Sequence, residues 1–297
     1  MGSPPTIFLF CLSTWADKCF TWNNHTHINT KDFFLTEEVF SIIKTDQEGL
    51  LKTNPFPAKD QIQNYYKTED YLSHNSKSGG LFSFFYRLFR AANFKLKYNS
   101  IKHLLHQGSL LDFGCGEGYF LKQMSDKGYS SYGVDPFRNK SKEISQSIFD
   151  EELSDVGFKT ITAWHSIEHV YDLEKTIIRF HDVLSENGIV VVAVPNHNSY
   201  DAKYYKNLWA GYDTPRHLWH FNKTGLRKVF ERNKFIFHTE HPLFIDAYYV
   251  SFLSEKYKGS KLPILRSIVI GTISNLKALF NGQYSSNYFV FKKIQEI

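Results

Sequence analysis

The chain is poor in cysteine. Its 297 residues include three cysteines, Cys11, Cys19 and Cys115. A small, odd number of cysteines argues against a disulfide scaffold and is typical of a reducing compartment, so we expect a cytoplasmic location. No two pairs of cysteines have the spacing of a tetrahedral zinc site. The sequence therefore predicts no structural zinc and names no metal ligands.

The sequence also lacks an apolar run of about 20 residues, so no membrane-spanning helix is expected. Residues 7–12 are apolar, but no basic segment precedes them, so a signal peptide is not expected either. The net charge is only +5, from 35 Lys and Arg against 30 Asp and Glu. No cluster of basic residues is dense enough for a nucleic-acid groove. Neither nucleic acid nor a membrane is thus expected as a partner, and the oligomeric state is left open.

The most informative stretch, residues 110–118, reads Leu-Leu-Asp-Phe-Gly-Cys-Gly-Glu-Gly. An apolar run ends in an acid, glycines follow at Gly114, Gly116 and Gly118, and a helical pattern comes next. Glycine suits a turn that needs positive φ and lets a ligand approach the backbone closely. The pattern predicts a nucleotide-like ligand at the carboxyl end of the first strand of an α/β sheet.

Spacing and charge indicate which ligand binds there. A dinucleotide loop reads G-x-G-x-x-G, whereas this loop reads G-x-G-x-G between Asp112 and Glu117. These acids would repel a pyrophosphate but suit the ammonium and sulfonium of S-adenosylmethionine. Asp135 ends the next strand, where an acid can bind ribose hydroxyls. A glycine turn with solvated acids is the alternative. The predicted cofactor-binding residues are Asp112, Gly114, Cys115, Gly116, Gly118, Asp135, Pro136, Trp164 and His165.

Strand and helix patterns alternate from Leu110 onward, which is typical of a parallel sheet covered on both faces. Strands are predicted at 109–113, 131–135, 159–164, 189–194, 235–239 and 286–292, with a short third strand near 148–154. Helices are predicted at about 81–106, 118–127, 139–147, 172–185, 223–233, 244–257 and 264–280.

Five motifs together resemble class I S-adenosylmethionine-dependent methyltransferases, in particular the subfamily of the ubiquinone-biosynthesis O-methyltransferases. They are Leu110–Gly118, Gly133–Asp135, Trp164–His169, Ile189–Pro195 and Asp213–Leu218. The resemblance implies a Rossmann-like, doubly wound, mostly parallel seven-stranded sheet with an antiparallel last strand. It also implies an N-terminal helical cap and a C-terminal helical insertion at about 243–284. We divide the chain into an N-terminal segment, 1–75, and a methyltransferase domain, 76–297.

The N-terminal segment resembles a degenerate zinc ribbon. Relatives carry a second C-x-x-C-G before an Asn-Pro-x-Pro turn, and this chain keeps the turn at Asn54–Pro57 but has Thr45–Gly49 in place of the cysteines. Cys19 stands near the place of the first pair. The aromatic run after this turn, with Tyr65, Tyr66, Tyr71 and His74, is interpreted either as a lid over the cofactor or as core.

The first candidate catalytic stretch, Trp164–His169, follows the fourth strand. His165, Glu168 and His169 read H-x-x-E-H. In ubiquinone O-methyltransferases a related E-x-x-E-H stretch is associated with a divalent cation, but here His165 replaces the first acid. Three interpretations stay open: shaping of the site or base catalysis, a supporting structural role, and metal binding.

The second stretch, Trp209–Phe221, is a long polar and aromatic loop after the fifth strand. Arg216 can fix an anionic part of a substrate, and His169 or His217 can act as base for a hydroxyl. Alternatively, Asp213 and Arg216 pair to hold the loop while its histidines bond to backbone. The predicted substrate-binding residues are Tyr212, Asp213, Arg216, His217 and His220; the predicted catalytic residues are His169, His217, His165 and Arg216.

The expected function is methyl transfer from S-adenosylmethionine to a small-molecule or saccharide acceptor, by in-line SN2 displacement and with oxygen as the favoured acceptor atom. A non-catalytic S-adenosylmethionine-binding scaffold is the alternative. An NAD-linked oxidoreductase is less consistent with the loop spacing.

Overall fold

The computed structural model describes residues 26–66 and 94–294. The predictions that concern Cys11, Cys19, Tyr71 and His74 fall outside these residues, as does most of the helix expected at 81–106. The described part of that helix, α1, covers residues 94–101.

The N-terminal part of the described chain is a small antiparallel sheet. Strands β1 (Thr26–Lys31), β2 (Val39–Lys44) and β3 (Leu50–Asn54) lie side by side in chain order. A single 3-10 turn, Ile62–Tyr66, follows. These strands form because alternation such as exposed Val39, buried Phe40 and buried Ile42 suits a half-buried sheet.

The remaining strands begin at the glycine-rich stretch, which starts within β4. They are β4 (Ser109–Phe113), β5 (Ser130–Val134), β6 (Ile144–Ser145), β7 (Phe158–Trp164), β8 (Leu184–Pro195), β9 (Trp219–Phe221), β10 (Phe235–Pro242) and β11 (Ser286–Lys293).

Seven of these strands form one sheet in the order β6-β5-β4-β7-β8-β11-β10. Strands β4 to β8 pair in parallel, whereas β11 runs antiparallel to both of its neighbours. This confirms the predicted doubly wound sheet with an antiparallel last strand. The remaining strand, β9, pairs antiparallel with β3, so a strand from the C-terminal part of the chain completes the small N-terminal sheet.

Six further helices lie between these strands. They are α2 (Tyr119–Ser125), α3 (Leu173–Val183), α4 (Tyr200–Tyr205), α5 (Lys223–Arg232), α6 (Asp246–Tyr257) and α7 (Pro263–Asn281). The C-terminal helical insertion thus consists of α6 and α7. Residues 189–194 of β8 are buried without alternation, as expected for a strand covered on both faces.

The prediction for the third unit of the sheet is wrong. The expected helix at 139–147 is absent and the third strand lies at 144–145 rather than 148–154. The Ser141 side chain accepts a hydrogen bond from the Ile144 backbone N–H at 3.1 Å, and the Ser141 N–H donates to the Ile144 carbonyl at 2.9 Å. This local turn competes with a helix.

Among the described residues, the helix Pro263–Asn281 is long and apolar enough to cross a membrane by length and composition. It has 19 residues and a mean hydropathy of 1.2, and 28% of this stretch is buried. The expectation of no membrane-spanning helix stays a prediction, since this finding rests on length and composition alone. Arg266 and Lys277 interrupt the apolar residues in sequence, and only the helical arrangement gathers the apolar residues on one face.

Candidate active site

The glycine-rich loop runs directly from β4 into α2. The backbone of Gly114, Gly116 and Gly118 has φ of 78°, 51° and 73°, and Gly118 caps the N-terminus of α2. The N–H groups of Gly114 and Cys115 both donate to the Val134 carbonyl, at 2.7 and 3.1 Å. The loop is thereby held against the end of β5, as the strand–turn–helix prediction requires.

Asp135 fastens this loop to the next one. One carboxylate oxygen accepts a hydrogen bond from the Gly116 N–H at 2.9 Å, and the other accepts from the Phe137 N–H at 2.9 Å. Asp135 is half-buried and keeps acceptor capacity towards the space in front of the loop.

Asp112 lies behind the loop. It is buried, and it accepts a hydrogen bond from the Thr162 hydroxyl at 2.7 Å. Burial raises the pKa of Asp112 to about 7, against the opposing effects of Thr162 and the Lys97 charge. Cys115 is buried too, and burial raises the pKa of its thiol to about 12. Its sulfur therefore stays protonated and fills space against Gly133.

A cavity of about 740 Å³ opens in front of the loop. Six of the predicted site residues lie in its wall: Gly114, Gly116, Asp135, Pro136, His165 and His169. Asp112, Cys115, Gly118 and Trp164 do not line it. Tyr66 lies in the wall contributed by the N-terminal segment, 4.9 Å from the Phe137 ring between centroids. This position agrees with the lid interpretation of Tyr66.

Two glycines of the loop provide a matched pair of variants. A Cβ on Gly114 would lie 2.5 Å from the Ser166 Cβ, whereas a Cβ on Gly116 would meet no atom within 4 Å. Both have positive φ, so alanine adds comparable backbone strain of about 1 kcal/mol at each. We expect Gly114→Ala to lower the melting temperature clearly more than Gly116→Ala in a thermal unfolding assay. Equal melting temperatures would contradict the close packing of Gly114.

His165 is fixed by two carboxylates. Its Nε2 lies 2.9 Å from the Asp246 Oδ2, and its Nδ1 lies 3.5 Å from the Glu168 Oε1. Burial acts to lower the pKa of His165, but the hydrogen bond to Asp246 and the charges of Asp246 and Glu168 outweigh it and raise the pKa to about 9. His165 is therefore protonated near neutral pH. The prediction that it shapes the site fits this state, whereas a role as base does not.

Glu168, His169 and His217 form a polar cluster beside the cavity. One potential ligand atom of each lies within 4.8 Å of the others. The Glu168 carboxylate is fully buried, and neither of its oxygens has a hydrogen-bond partner among the described residues. The His217 Nε2 lies 3.9 Å from the Glu168 Oε1. Burial acts to raise the pKa of Glu168, but the neighbouring histidines hold it below its usual value.

Backbone carbonyls orient both imidazoles of this cluster. The Nδ1 of His169 lies 2.9 Å from the Arg216 carbonyl oxygen, and the Nδ1 of His217 lies 3.0 Å from the Gly211 carbonyl oxygen. The Tyr66 hydroxyl also lies 3.0 Å from the His169 Nδ1, so that nitrogen has two neighbours. Burial, together with the His217 charge, lowers the pKa of His169 to about 4. Imidazoles oriented through one ring nitrogen in this way are typical of metal ligands.

Arg216 lies outside the cavity wall and is 1% exposed. Its guanidinium donates to Asp213 at 2.6 and 2.9 Å, to Asp32 at 2.9 Å and to the Tyr65 carbonyl at 3.1 Å. These contacts leave it no open side for a substrate anion. The alternative interpretation, in which Asp213 and Arg216 hold the loop, describes this arrangement, and the substrate-clamp interpretation does not.

The remaining predicted substrate residues are buried around the same loop. The Thr53 hydroxyl donates to the His217 carbonyl at 2.7 Å, so it accepts from the His220 Nε2 at 2.9 Å. Burial lowers the pKa of His220 well below its usual value. The Tyr212 hydroxyl lies 3.4 Å from the His27 Nε2, and burial raises the pKa of Tyr212 to about 12. Neither Tyr212 nor His220 lines the cavity.

Sequence reasoning missed several residues of the site. Asp246 and Asp32 reach it from distant parts of the chain, and no local pattern marks the first. A local turn could have drawn attention to Asp32. Its carboxylate accepts hydrogen bonds from the N–H groups of residues 34–36, which is an Asx-type turn. Lys97, whose ammonium lies 4.7 Å from the Trp164 ring centroid, was not predicted either.

Residues 82–237 match a family model described as a methyltransferase domain. The curated ubiquinone biosynthesis O-methyltransferase of Azorhizobium caulinodans is 30% identical over 102 residues. This match covers 29% of the chain and 40% of the relative, so the chain spans less than half the length of the relative it matches.

Two solved structures illustrate the similarity in fold. A possible histamine N-methyltransferase of Thermotoga maritima is 15% identical over 67% of this chain and 89% of its own, with a TM-score of 0.46. Phosphoethanolamine N-methyltransferase 2 of Haemonchus contortus, in complex with S-adenosylmethionine, is 16% identical over 82% of this chain and 63% of its own, with a TM-score of 0.48. Because the matched residues 82–237 make up just over half of the sequence, the chain belongs to the methyltransferase domain family.

Proposed function

We propose that the enzyme methylates an oxygen atom of a small acceptor bound in the cavity beside His169. The observation that carries this proposal is that Gly114, Gly116, Asp135 and His169 line the same cavity. A donor on the loop and an acceptor against His169 would thus share one space. The match to an O-methyltransferase supports oxygen as the acceptor atom.

The residues present fit S-adenosylmethionine. The Gly116 backbone borders open space, and Asp135 has free acceptor capacity beside it, which suits a ribose diol. The acid behind the loop, Asp112, suits the donor's positive charge. When bound, S-adenosylmethionine supplies an electrophilic methyl group on a sulfonium. The loop and Asp135 contribute alignment, which is a large part of catalysis in a two-substrate reaction.

Donor binding is expected to depend on Asp135. In Asp135→Ala, the affinity for S-adenosylmethionine should fall by about 1.5–3 kcal/mol, because charge-assisted hydrogen bonds to the donor and to the Gly116 N–H are lost. This corresponds to roughly 10- to 150-fold in Kd by isothermal titration calorimetry. The exposed Asp155, replaced by alanine, is the control and should bind normally. Unchanged affinity in Asp135→Ala would refute the assignment. NAD titrated in parallel should give no heat of binding.

Donor affinity is also expected to depend on pH through Asp112. The ionised carboxylate attracts the cationic donor, and the protonated carboxyl does not. Because the pKa of Asp112 is raised to about 7, affinity should be full above this pH and fall below it. The loss should reach roughly 30-fold between about pH 8 and about pH 5.5. Calorimetry on Asp112→Asn should show weaker binding and a flat profile; an equally steep profile would assign the dependence to another group.

The acceptor side of the cavity favours an aromatic or otherwise apolar hydroxyl compound. Tyr66, Phe113, Phe137, Phe149 and Tyr171 contribute rings to its wall. Apolar walls with a few placed polar groups are typical of small-molecule sites. A phenol or quinol therefore fits this wall better than a fully polar saccharide.

The cluster of Glu168, His169 and His217 fits a divalent cation, which the sequence interpretation left open. A buried carboxylate without a hydrogen-bond partner among the described residues and two oriented imidazoles are the chemistry of such a donor set. Bound there, a cation would supply Lewis acidity that lowers the pKa of a nearby hydroxyl. The second candidate role is general base for His169, and its lowered pKa makes it a weak base.

The test of the proposed function uses the purified enzyme, methyl-labelled S-adenosylmethionine and a panel of phenols, catechols, saccharides and amines. Mass spectrometry detects methylation, and the chemical shift of the labelled methyl group identifies its bonding partner. We expect labelled methyl ethers from the aromatic hydroxyl compounds. Transfer to amines alone would refute oxygen as the acceptor atom. The absence of transfer with every compound would favour the non-catalytic scaffold. The cytoplasmic location and the exclusion of nucleic acid stay predictions.

A further inference from the structure

The outer face of α7 is apolar, although it faces solvent. Phe280 is 92% exposed, Ile264 66% and Leu279 63%. Four more apolar residues of α7 are about half exposed: Leu265, Ile268, Val269 and Leu276. The buried face carries mostly small residues: Ser267, Ile270, Gly271, Ser274 and Ala278. A surface helix of a soluble domain has the opposite arrangement, with its large apolar residues turned inward.

These exposed residues lie on one side of the helix. At 100° per residue, the seven exposed apolar residues of α7 fall within an arc of about 160°. The start of α6 extends this arc, because the Asn275 side chain donates to the Phe244 carbonyl at 3.0 Å. Phe244, Ile245 and Tyr249 are 49%, 40% and 58% exposed. The apolar face of the α6–α7 hairpin, as we call these residues, is far larger than a scatter of single exposed side chains.

Positive charge borders this face. Residues 256–295 contain no Asp or Glu, but the hairpin carries exposed Lys256, Lys258, Lys261, Arg266 and Lys277. Arg266 pairs with Glu255 at 2.8 Å. None of the four lysines forms an ion pair within the described residues. The apolar arc therefore lies beside unneutralised cations, and Arg266 and Lys277 fall at its edge on the helix.

The inner face of α7 fixes how this surface can meet a membrane. The Ser274 hydroxyl donates to the buried Asp201 at 2.7 Å, and Gly271 packs against Tyr248 closely enough that a Cβ would clash at 2.7 Å. A spanning helix would have to leave these contacts and place Arg266 and Lys277 in hydrocarbon. Lying parallel to the surface keeps the contacts and immerses only the outer arc.

We propose that the apolar face of the α6–α7 hairpin binds the surface of an anionic lipid bilayer, with α7 lying in the interfacial plane. An apolar arc bordered by lysine and arginine is the composition of interfacial helices, and anionic headgroups attract such cations. A second copy of the chain fits this surface less well. Self-association would bring two sets of unpaired lysines into one interface, and like charges there oppose binding.

Vesicle co-sedimentation of the full chain tests this proposal. Phosphatidylcholine vesicles with about one-third phosphatidylglycerol are compared with pure phosphatidylcholine, each at low and high salt. Binding is expected for the anionic vesicles, and added salt should weaken it. The combined variant Leu276→Ser, Leu279→Ser and Phe280→Ser should lose more than about tenfold in partition constant. The control, Val39→Ser with Ile236→Ser, removes apolar residues that are 73% and 56% exposed elsewhere and should bind normally.

A second set of variants guards against misfolding. Replacing Lys258, Lys261 and Lys277 by alanine should reduce binding to anionic vesicles only, with an unchanged melting temperature and donor affinity. Failure of the unmodified chain to sediment with anionic vesicles would overturn the proposal. Equal binding by the apolar variant would do the same. A lipid-free dimer in sedimentation equilibrium that the apolar variant converts to monomer would assign this face to a second copy instead.

Discussion

In His169→Ala, turnover of a hydroxyl acceptor is expected to fall about 10²- to 10⁴-fold, whereas the Kd for S-adenosylmethionine stays within a factor of about two. His169 lines the donor cavity, where its Nδ1 contacts the Arg216 carbonyl oxygen and the Tyr66 hydroxyl, so its imidazole can act on a bound acceptor. Initial rates with the labelled donor measure the effect. His241→Ala, at a half-buried histidine on β10, is the control and should keep the original rate.

Chelation separates the two roles that His169 can have. If the cluster holds a cation, EDTA should abolish turnover, Mg²⁺ or Mn²⁺ should restore it, and Glu168→Gln should lose as much as His169→Ala. If His169 is a general base, EDTA should have no effect, and Glu168→Gln should retain most of the activity. A wild-type rate in His169→Ala would refute both roles, and the enzyme would then act by alignment through other residues.

Arg216→Ala is expected to lower the free energy of unfolding by about 3–5 kcal/mol. The guanidinium is 1% exposed and lies between two carboxylates, so its loss leaves Asp32 buried without a cation and Asp213 without its closest partner. Urea unfolding followed by circular dichroism measures this change. Arg232→Ala is the matched control: Arg232 pairs with Glu174, but both side chains are over 40% exposed, so a loss of less than about 1 kcal/mol is expected.

The same variant distinguishes the two interpretations of Arg216. A substrate clamp would leave stability intact and raise KM for the acceptor. The structure leads us to expect the reverse, since the guanidinium also donates to the Tyr65 carbonyl and joins the loop to the N-terminal segment. Full stability together with a raised KM in Arg216→Ala would restore the clamp interpretation.

The local sequence was sufficient to predict the glycine loop and most of the sheet. Strand β4 was predicted at the residues where it lies, and α2, α3 and α5 begin within one residue of their predicted starts. Positive φ at Gly114, Gly116 and Gly118, followed by a helix, depends on residues adjacent in the chain. An unbroken hydrophobic run such as Ile189–Val194 likewise predicts a strand that is buried on both faces. The ligand class followed because the acids flank the loop in sequence.

Only the tertiary structure decided what the polar side chains do. Arg216 meets Asp32 across 184 positions, and His165 meets Asp246 across 81. Arg216, a predicted substrate clamp, and His165, a predicted candidate base, are members of internal ion pairs. Short-range patterns cannot reveal them, because a side chain's pKa and exposure depend on what the rest of the fold brings to it.

The sequence by itself thus determined the methyltransferase sheet, the glycine loop and the acids that suit a cationic donor, because each depends on neighbouring residues and on hydrophobic period. The tertiary structure decided which histidines line the cavity, how the buried Glu168 comes to lie beside the imidazoles of His165 and His217, and that β9 completes the N-terminal sheet. It also decided that α7 turns its small residues inward and its large apolar residues outward. Composition and hydropathy are the same whichever face is buried, and only packing against α6 and Asp201 selects one.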